Sequence, residues 1–285
     1  MGALVNLNGA LVPPDRAFIS IFDRGFLYGD SIYEVCRTYR GKLFELQAHL
    51  DRLQASADRI GLELPMPIAG LGRQMAHTLE MAELPGEAYV RLIVTRGSGE
   101  ISLDPNAAVD PAFVIIAKPL TPYPPELLEK GCKVAVVGVR RNPRQALDPA
   151  AKTGNYLNSV LAMGEAKKAG AHEAILLGID GGVTEGASSN VFLVQRGTLV
   201  TPALEVGILA GVTRRIVLEL ARELKIPVQE RRVEPAELEN ADEAFLASSI
   251  REVMPIARVD DKVLAAPGPL TTKLRNAFRA LTEKA

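Results

Sequence analysis

The sequence predicts an α+β fold divided into two domains, and three features of the chain lead to this expectation. Strand-like and helix-like apolar patterns follow one another without strict alternation, which is typical of α+β folds rather than doubly wound sheets. The chain has 285 residues, 47% of them hydrophobic, which suffices for one large or two modest domains. A stretch with four prolines in eight residues, Lys118 to Pro125, interrupts the patterns and is typical of a linker.

We therefore expect a small α/β domain over 1–118, a Pro-rich linker over 119–125 and a larger mixed β domain with flanking helices over 126–285. In the first domain, Arg40-Gly41 predicts the turn between two strands. The strands predicted in this domain are 4–7, 17–20, 31–39, 42–45, 89–95 and 112–117, and the helices are 46–60 and 68–82.

The elements of the second domain are predicted in the same way, from the periods of apolar residues in helices and in strands. Its strands are expected at 133–139, 174–177, 191–194 and 244–247, and its helices at 155–169, 213–224 and 270–282. No internal repeat and no heptad pattern accompanies these elements.

Composition narrows the classes of function. A net charge of −1 provides no electrostatic footprint for nucleic acid or for an anionic membrane surface, so small molecules are the expected partners. The two cysteines, Cys36 and Cys132, lie beside apolar segments and are expected to be buried free thiols. The three histidines are far apart, so no metal centre is expected. Without a leader or a long apolar run, the pattern predicts a cytoplasmic protein.

One lysine has an unusual context. Lys152 lies just ahead of a predicted helix with apolar residues at Tyr156, Leu157 and Val160. The positive end of a helix dipole and partial burial both disfavour an ammonium ion, and a neutral amine is what imine formation requires. An exposed lysine flanking a helix would show the same local pattern.

Three further segments carry groups that suit an anionic, nitrogen-containing cofactor. The glycine-containing stretch 207–213 leads into a helix, with Thr213 as its expected cap, and helix N-termini bind phosphate. Ser248 and Ser249 end a predicted strand and offer hydroxyl donors. Glu185 lies in a Gly/Ser-rich connection, where a carboxylate is able to pair with a pyridinium nitrogen. Each segment also has an ordinary structural alternative. The stretch 207–213 is then a capped helix start, the two serines form a turn, and Glu185 is a solvated loop residue.

Seven motifs, taken in order, resemble the class IV aminotransferases, the fold-type IV enzymes that use pyridoxal 5′-phosphate (PLP). This family includes branched-chain and D-amino acid aminotransferases and aminodeoxychorismate lyase. The motifs span nearly the whole chain: DRGFLYGDSIYEV at 23–35, HLDRL at 49–53, YVRLIVTRG at 89–97, KTGNYLNS at 152–159, TEGASSNVF at 184–192, GILAGVTR at 207–214 and SSIREVMPI at 248–256.

The resemblance implies a role for each matching residue. Lys152 would hold PLP as a Schiff base and carry the proton between substrate and cofactor, and Glu185 would face the pyridine nitrogen. Tyr156 would hydrogen-bond the 3′ oxygen of the cofactor. The implied phosphate ligands are Arg52, Val212 through its backbone, Thr213 and Ser249. The implied substrate-binding residues are Tyr33, Tyr89, Arg91, Ile250 and Arg251.

The Tyr-x-Arg pair of Tyr89 and Arg91 resembles the branched-chain enzymes. The expected reaction is transfer of an amino group from a hydrophobic L-amino acid to 2-oxoglutarate. D-amino acid aminotransferases carry an Arg and a His in the loop after 97, where this chain has Ile101 and Leu103, which cannot pair a carboxylate.

Other positions resemble a different branch of the family. Val35 matches the D-amino acid branch, and the spacing from Lys152 to Asn155 matches the D-amino acid and lyase branches. An (R)-selective amine or D-amino acid transaminase and a lyase are therefore alternatives. Arg251 replaces a small residue and is either a second carboxylate ligand or a solvent-facing side chain. The resemblance also implies a homodimer, with the loop 97–106 contributing to the neighbour's site.

Overall fold

The computed structural model describes residues 2–284 and divides the chain into two compact units. The first unit extends to Thr121 and also contains Ala151–Tyr156. The second unit contains Pro122–Ala150 and Leu157–Lys284. Each unit combines strands with helices, so the α+β class predicted from the sequence is confirmed. None of the helices within residues 2–284 is long and apolar enough to cross a bilayer.

The strands of the first unit are β1 Leu4–Leu7, β2 Ala10–Val12, β3 Ser31–Tyr39, β4 Lys42–Leu43, β5 Ala88–Thr95, β6 Ser98–Gly99, β7 Ala108–Val109 and β8 Ala112–Pro119. Six of them form an antiparallel sheet in the order β2-β1-β8-β5-β3-β4, and β6 and β7 form a separate two-stranded ribbon. Arg40 and Gly41 both have positive φ, 54° and 77°, as a tight turn between β3 and β4 requires.

Two helices supply the other half of the core of this unit. Short helix α1 is Arg24–Tyr28, α2 is Leu46–Ile60 and α3 is Ile68–Met81. The apolar positions that predicted α2 and α3 are the ones that pack inward, including Leu53, Leu71 and Met75, which are fully buried among residues of β3, β5 and β8. Periodicity therefore identified the buried faces correctly.

The strand predicted at 17–20 is wrong, because this segment forms no ladder. Its apolar side chains point outward, with Phe18 78% and Ile19 51% exposed. Alternating apolar residues predict a strand only where a neighbouring strand supplies hydrogen-bond partners, and no strand pairs with this segment in the described chain.

Residues 151–156 belong to the first unit because their backbone pairs with the start of β3. The N–H of Tyr33 donates to the carbonyl oxygen of Lys152 at 3.0 Å, and the N–H of Gly154 donates to that of Ser31 at 2.7 Å. An isolated antiparallel bridge joins Ile32 to Thr153. The sequence prediction had assigned the whole of 126–285 to the second domain and did not foresee this return of the chain.

The strands of the second unit are β9 Cys132–Arg140, β10 Glu173–Leu177, β11 Val183–Gly186, β12 Asn190–Gln195, β13 Thr198–Pro202, β14 Val228–Arg231, β15 Glu243–Ser248, β16 Glu252–Val259 and β17 Lys262–Val263. They form a nine-stranded mixed sheet in the order β11-β10-β9-β16-β15-β12-β13-β14, with β17 paired to β16. Strand β9 runs parallel to both β10 and β16, while β15 is antiparallel to both of its neighbours.

The helices of the second unit are α4 Pro125–Glu129, α5 Leu157–Lys168, α6 Val212–Glu223, α7 Pro235–Glu239 and α8 Pro269–Thr282. Pro125 is the first residue of α4, and Pro119 ends β8, so only the middle of the predicted linker lies between elements. Strand β16 was not predicted. It contains Pro255, which lacks the N–H that a strand ladder uses.

Candidate active site

Lys152 is held at the edge of β3 beside two tyrosines. Its Nζ donates a hydrogen bond to the hydroxyl oxygen of Tyr33 at 3.1 Å and lies 4.3 Å from the centre of that ring. The rings of Tyr33 and Tyr156 meet edge to face, with centroids 5.3 Å apart. Burial, together with the nearby hydroxyl of Tyr156, raises the pKa of Tyr33 far above its usual range, so the phenol stays protonated. The amine is therefore oriented by a neutral hydroxyl.

The half-buried face of β3 and β5 carries the predicted substrate residues. Tyr89 and Arg91 alternate along β5 and lie opposite Arg37 and Val35 of β3. The guanidinium of Arg91 stacks over the ring of Tyr33 at 4.2 Å. Its Nε is buried and has no hydrogen-bond partner among residues 2–284. A buried donor without an acceptor is costly, which makes Arg91 suited to receive an anionic ligand.

Arg52 is fixed by a buried carboxylate. Its Nε and Nη2 each donate to a different oxygen of Glu34 at 2.7 Å, and Nδ1 of His49 hydrogen-bonds the same carboxylate at 2.7 Å. Burial favours the protonated acid, but the charge and hydrogen bonds of Arg52 and the hydrogen bond of His49 outweigh it and hold the pKa of Glu34 at about 2. Burial keeps the pKa of His49 below its usual value, so a neutral imidazole donates this bond.

In the second unit, Glu185 lies in the short strand β11 rather than in a loop, and it organises its surroundings. One of its oxygens accepts from Nε of Arg141 at 2.9 Å. The other accepts from the backbone N–H of Leu209 at 3.1 Å and from Nδ2 of Asn190 at 3.3 Å. These donors hold the Glu185 carboxylate in one orientation, and a carboxylate is the kind of acceptor that suits a ligand donating a hydrogen bond.

The N-terminus of α6 follows directly from the loop that Glu185 and Asn190 hold. The amide of Asn190 also donates to the carbonyl oxygen of Leu209 at 3.0 Å. Gly211 is the N-cap, and a Cβ there would collide with Oδ1 of Asn190. The expectation that Thr213 caps the helix is wrong, because α6 begins at Val212 and Thr213 lies inside its first turn. The first N–H groups of a helix lack intrahelical acceptors, which suits a phosphate.

The turn between β15 and β16 contains Ser249, Ile250 and Arg251. Ser249 and Ile250 are half-buried. Arg251 is only 9% exposed, so the alternative that it faces solvent is wrong. Its Nη1 lies 2.7 Å from an oxygen of Glu173, which is itself fully buried. The carboxylate that Arg251 contacts in this structure is therefore that of Glu173 within the protein.

The predicted site residues form two groups, one in each unit. Lys152, Tyr156, Tyr33, Tyr89, Arg91 and Arg52 belong to the first unit, and Glu185, Val212, Thr213, Ser249, Ile250 and Arg251 belong to the second. Sequence reasoning missed the residues that position them: Glu34, His49, Arg141, Glu173 and Asn190. A charge within an apolar strand pattern was a signal for Glu34, whereas Arg141 has no comparable local signal.

The chemistry of these residues fits PLP. A tethered amine, an acceptor carboxylate and a helix N-terminus with a neighbouring hydroxyl match an aldehyde, a pyridine nitrogen and a phosphate. The unpartnered buried Nε of Arg91 adds a donor for an anion.

Comparisons with known proteins agree. The family model for amino-transferase class IV matches residues 31–259. A Methanocaldococcus jannaschii protein, provisionally named a branched-chain-amino-acid aminotransferase, is 40% identical over 98% of this chain and 96% of its own. The D-alanine aminotransferase of Bacillus licheniformis is 34% identical over 96% of this chain and 95% of its own.

Solved structures are similar as well. The branched-chain aminotransferase of Thermoproteus uzoniensis, solved with norvaline, superposes with a TM-score of 0.91 at 36% identity, covering 98% of this chain and 94% of that one. The branched-chain amino acid aminotransferase of Thermobaculum terrenum, solved in its PLP form, has a TM-score of 0.89 at 28% identity, covering 99% and 94%. The chain belongs to the class IV aminotransferases and is a PLP-dependent transaminase of fold type IV.

Proposed function

We propose that this enzyme transfers the amino group of hydrophobic, branched-chain L-amino acids to 2-oxoglutarate. The observation that carries the proposal is the 40% identity, over nearly the full length, to a relative named for branched-chain substrates. The Tyr89 and Arg91 pair on β5 supports it, since both side chains share one half-buried face with Val35 and Ile93. Such a face combines an anion-binding group with an apolar surface for a branched side chain.

The residues of the first unit perform the proton transfer and receive the substrate. Bound PLP supplies the electron sink that weakens the Cα–H bond of the amino acid. Lys152 would be the attachment point for the cofactor, and its released Nζ would hold the proton taken from Cα of the amino acid. Tyr33 accepts a hydrogen bond from Nζ and so restrains the direction in which the amine points. Tyr156 would donate a hydrogen bond to the 3′ oxygen of the cofactor.

Binding of the cofactor's ring nitrogen and phosphate is divided among the remaining residues. Glu185 would accept the pyridinium N–H, and its partner Arg141 holds this carboxylate in one orientation. The backbone of Val212, Thr213 at the start of α6, Ser249 and Arg52 would bind the phosphate. Glu34 holds Arg52 in one orientation through its two hydrogen bonds.

A second candidate function is transamination of D-amino acids. The D-alanine aminotransferase relatives favour it, as do Val35 and the spacing from Lys152 to Asn155, which resemble the D-amino acid branch. Ile101 and Leu103, at 72% and 81% exposure, give the loop 97–106 no charged group for a carboxylate at those positions. This observation favours the branched-chain assignment over the D-amino acid one.

The enzyme is proposed to act as a cytoplasmic homodimer. Residues 17–26 expose Phe18, Ile21 and Phe26 by more than half of their surface each, and such a cluster is typical of an interface. The loop 97–106 is held in place by Nη1 of Arg24, which donates to the carbonyl oxygen of Ser102 at 2.6 Å, and it is a candidate contributor to the neighbour's site. Two buried free thiols suit a reducing compartment.

A panel of amino donors tests the assignment. L-leucine, D-alanine and (R)-1-phenylethylamine are supplied in turn with 2-oxoglutarate, and glutamate formation is measured. The proposal expects kcat/KM to be highest for L-leucine, and absence of turnover with L-leucine would refute it. Pyruvate released from aminodeoxychorismate without any acceptor would identify a lyase instead. Light scattering of the holoenzyme as it elutes from a size-exclusion column gives its molar mass and so reports whether it is a dimer.

A further inference from the structure

A buried ion pair in the second unit joins two segments that carry proposed cofactor ligands. We propose that Arg251 is a positioning residue, which holds the turn bearing Ser249 to the loop that follows Glu185, and that it is not a ligand for the substrate carboxylate. This inference rests on the proposed function only in taking Glu185 and Ser249 to bind PLP.

Glu173 is the centre of the cluster. Its side chain is fully buried, and its Oε2 accepts from Nη1 of Arg251 at 2.7 Å, from Oγ of Ser188 at 2.9 Å and from Oγ of Ser189 at 3.3 Å. A carboxylate removed from water requires a cation and hydrogen-bond donors, and these three groups supply them. Glu173 therefore ties Arg251 and the two serines to the first residue of β10.

The two serines belong to the segment that presents Glu185. They lie between β11, which contains Glu185, and Asn190, whose amide donates to Glu185. Nη1 of Arg251 also lies 2.7 Å from Oγ of Ser188, so one nitrogen contacts both the carboxylate and the loop. Any shift of Arg251 would release Ser188 and alter the support of Glu185 from the far side of the loop.

Further contacts restrain Arg251 and the turn between β15 and β16. The backbone N–H of Arg251 donates to Oγ of Ser248 at 3.2 Å, next to Ser249. The guanidinium lies 5.4 Å from the ring centre of Tyr123, which adds a cation–π contact. Arg251 is thus restrained through its backbone, its guanidinium face and its Nη1.

These contacts argue against a direct role in binding substrate. A substrate carboxylate taking Nη1 would have to displace Glu173, and this would leave a fully buried negative charge without its cation. A positioning role makes a different prediction from a ligand role: both partners of the pair should matter equally, and for the cofactor rather than for the carboxylate of the substrate.

The test is a double-mutant cycle read out by cofactor affinity. Arg251→Met, Glu173→Gln and the double variant are prepared as apoenzymes, and the dissociation constant for PLP is measured by titration. Inhibition of each holoenzyme by a simple aliphatic carboxylate is measured in parallel. Arg258→Met, which removes an exposed arginine from strand β16 directly after the turn, is the matched control.

We expect each single variant to weaken PLP binding by about tenfold. The double variant should bind PLP no more weakly than the single variant with the lower affinity, because both substitutions remove the same interaction. Arg251→Lys and Ser188→Ala should give smaller losses, and they keep the test decisive if Arg251→Met does not fold. The control should stay within about twofold of the wild type.

A different pattern would overturn the proposal. Unchanged PLP affinity in Arg251→Met and Arg251→Lys, with inhibition by the aliphatic carboxylate weakened by about tenfold, would identify Arg251 as a substrate ligand. Additive losses in the double variant would show that the two residues act independently. Since PLP affinity is measured without an amino donor, these outcomes do not depend on whether L-leucine is the substrate.

Discussion

The two units each contain a buried glutamate paired with an arginine, but the pairs are built differently. Glu34 lies within the nine-residue strand β3, and Arg52 lies within the fifteen-residue helix α2. Glu173 begins β10, and Arg251 lies in a turn. In the first unit, regular elements hold the ion pair in place. In the second unit, the ion pair holds the loop and the turn in place.

This difference separates two kinds of consequence. Two parallel hydrogen bonds join Glu34 to Arg52, and strand and helix would remain regular if the pair were broken, so its loss should appear mainly as lost stability. One nitrogen of Arg251 contacts both Glu173, the first residue of β10, and Ser188, which lies in the loop after β11. Because this pair holds a loop and a turn, its loss should lower cofactor affinity in addition to stability.

The largest expected effect is on activity and comes from Lys152, which belongs to neither ion pair. It is the reference against which the effects of breaking the two pairs are compared. Lys152→Ala should reduce transamination on the order of 1,000-fold or more, because it removes the attachment point and the acid/base group together. The unfolding midpoint of the apoenzyme should change little, since the described contacts of Nζ are confined to the two neighbouring tyrosines. Activity and the visible absorbance of the lysine-bound cofactor are measured, and retained absorbance would remove Lys152 as the anchor.

Breaking the first pair should have the next largest effect. Glu34→Gln leaves Arg52 buried without its carboxylate and should lower the free energy of unfolding by about 3–5 kcal/mol. Denaturant unfolding of the apoenzyme measures this, with Glu63→Gln, an exposed position, as the control. A loss of PLP affinity without a loss of stability would contradict this expectation, because the Glu34–Arg52 pair would then support the cofactor site rather than the fold.

The smallest of the three effects is the acid sensitivity of the same pair. The pKa of Glu34 is about 2 in the folded protein and 4.5 as a free side chain, so ionisation of this group stabilises the fold above pH 4.5. That contribution, about 3 kcal/mol, is lost as the pH falls from about 4.5 to about 2. Unfolding of wild type and Glu34→Gln between pH 7 and pH 3 measures it, and parallel curves would exclude Glu34 as the cause.

Much of the fold follows from local patterns. The spacing of Leu50, Leu53 and Ala57 predicts helix α2 and its buried face, because one face of a helix repeats every three to four residues. The failure at 17–20 has a physical reason: strand propensity without a pairing strand leaves the backbone unpaired and the apolar side chains exposed. The same segment is the one we assign to a contact between subunits.

The candidate site divides in the same way. Motif resemblance predicted Lys152 as the reactive lysine, Glu185 as the carboxylate, and Val212 with Thr213 as phosphate ligands, because each lies in a short segment whose residue types suit one part of PLP. The residues that orient them were missed. Glu34, Arg141 and Glu173 act on partners that are distant in the sequence, and no local period links such positions.

Local patterns and motifs were enough for the α+β class, most boundaries of the long helices and the family, and they predicted Lys152 as the reactive amine. Three-dimensional packing was needed to find that residues 151–156 return to pair with β3, and that Arg251 faces inward to Glu173. Hydrophobic periodicity and helix caps depend on neighbouring residues, whereas the partner of a buried charge depends on which strands and turns the topology places side by side.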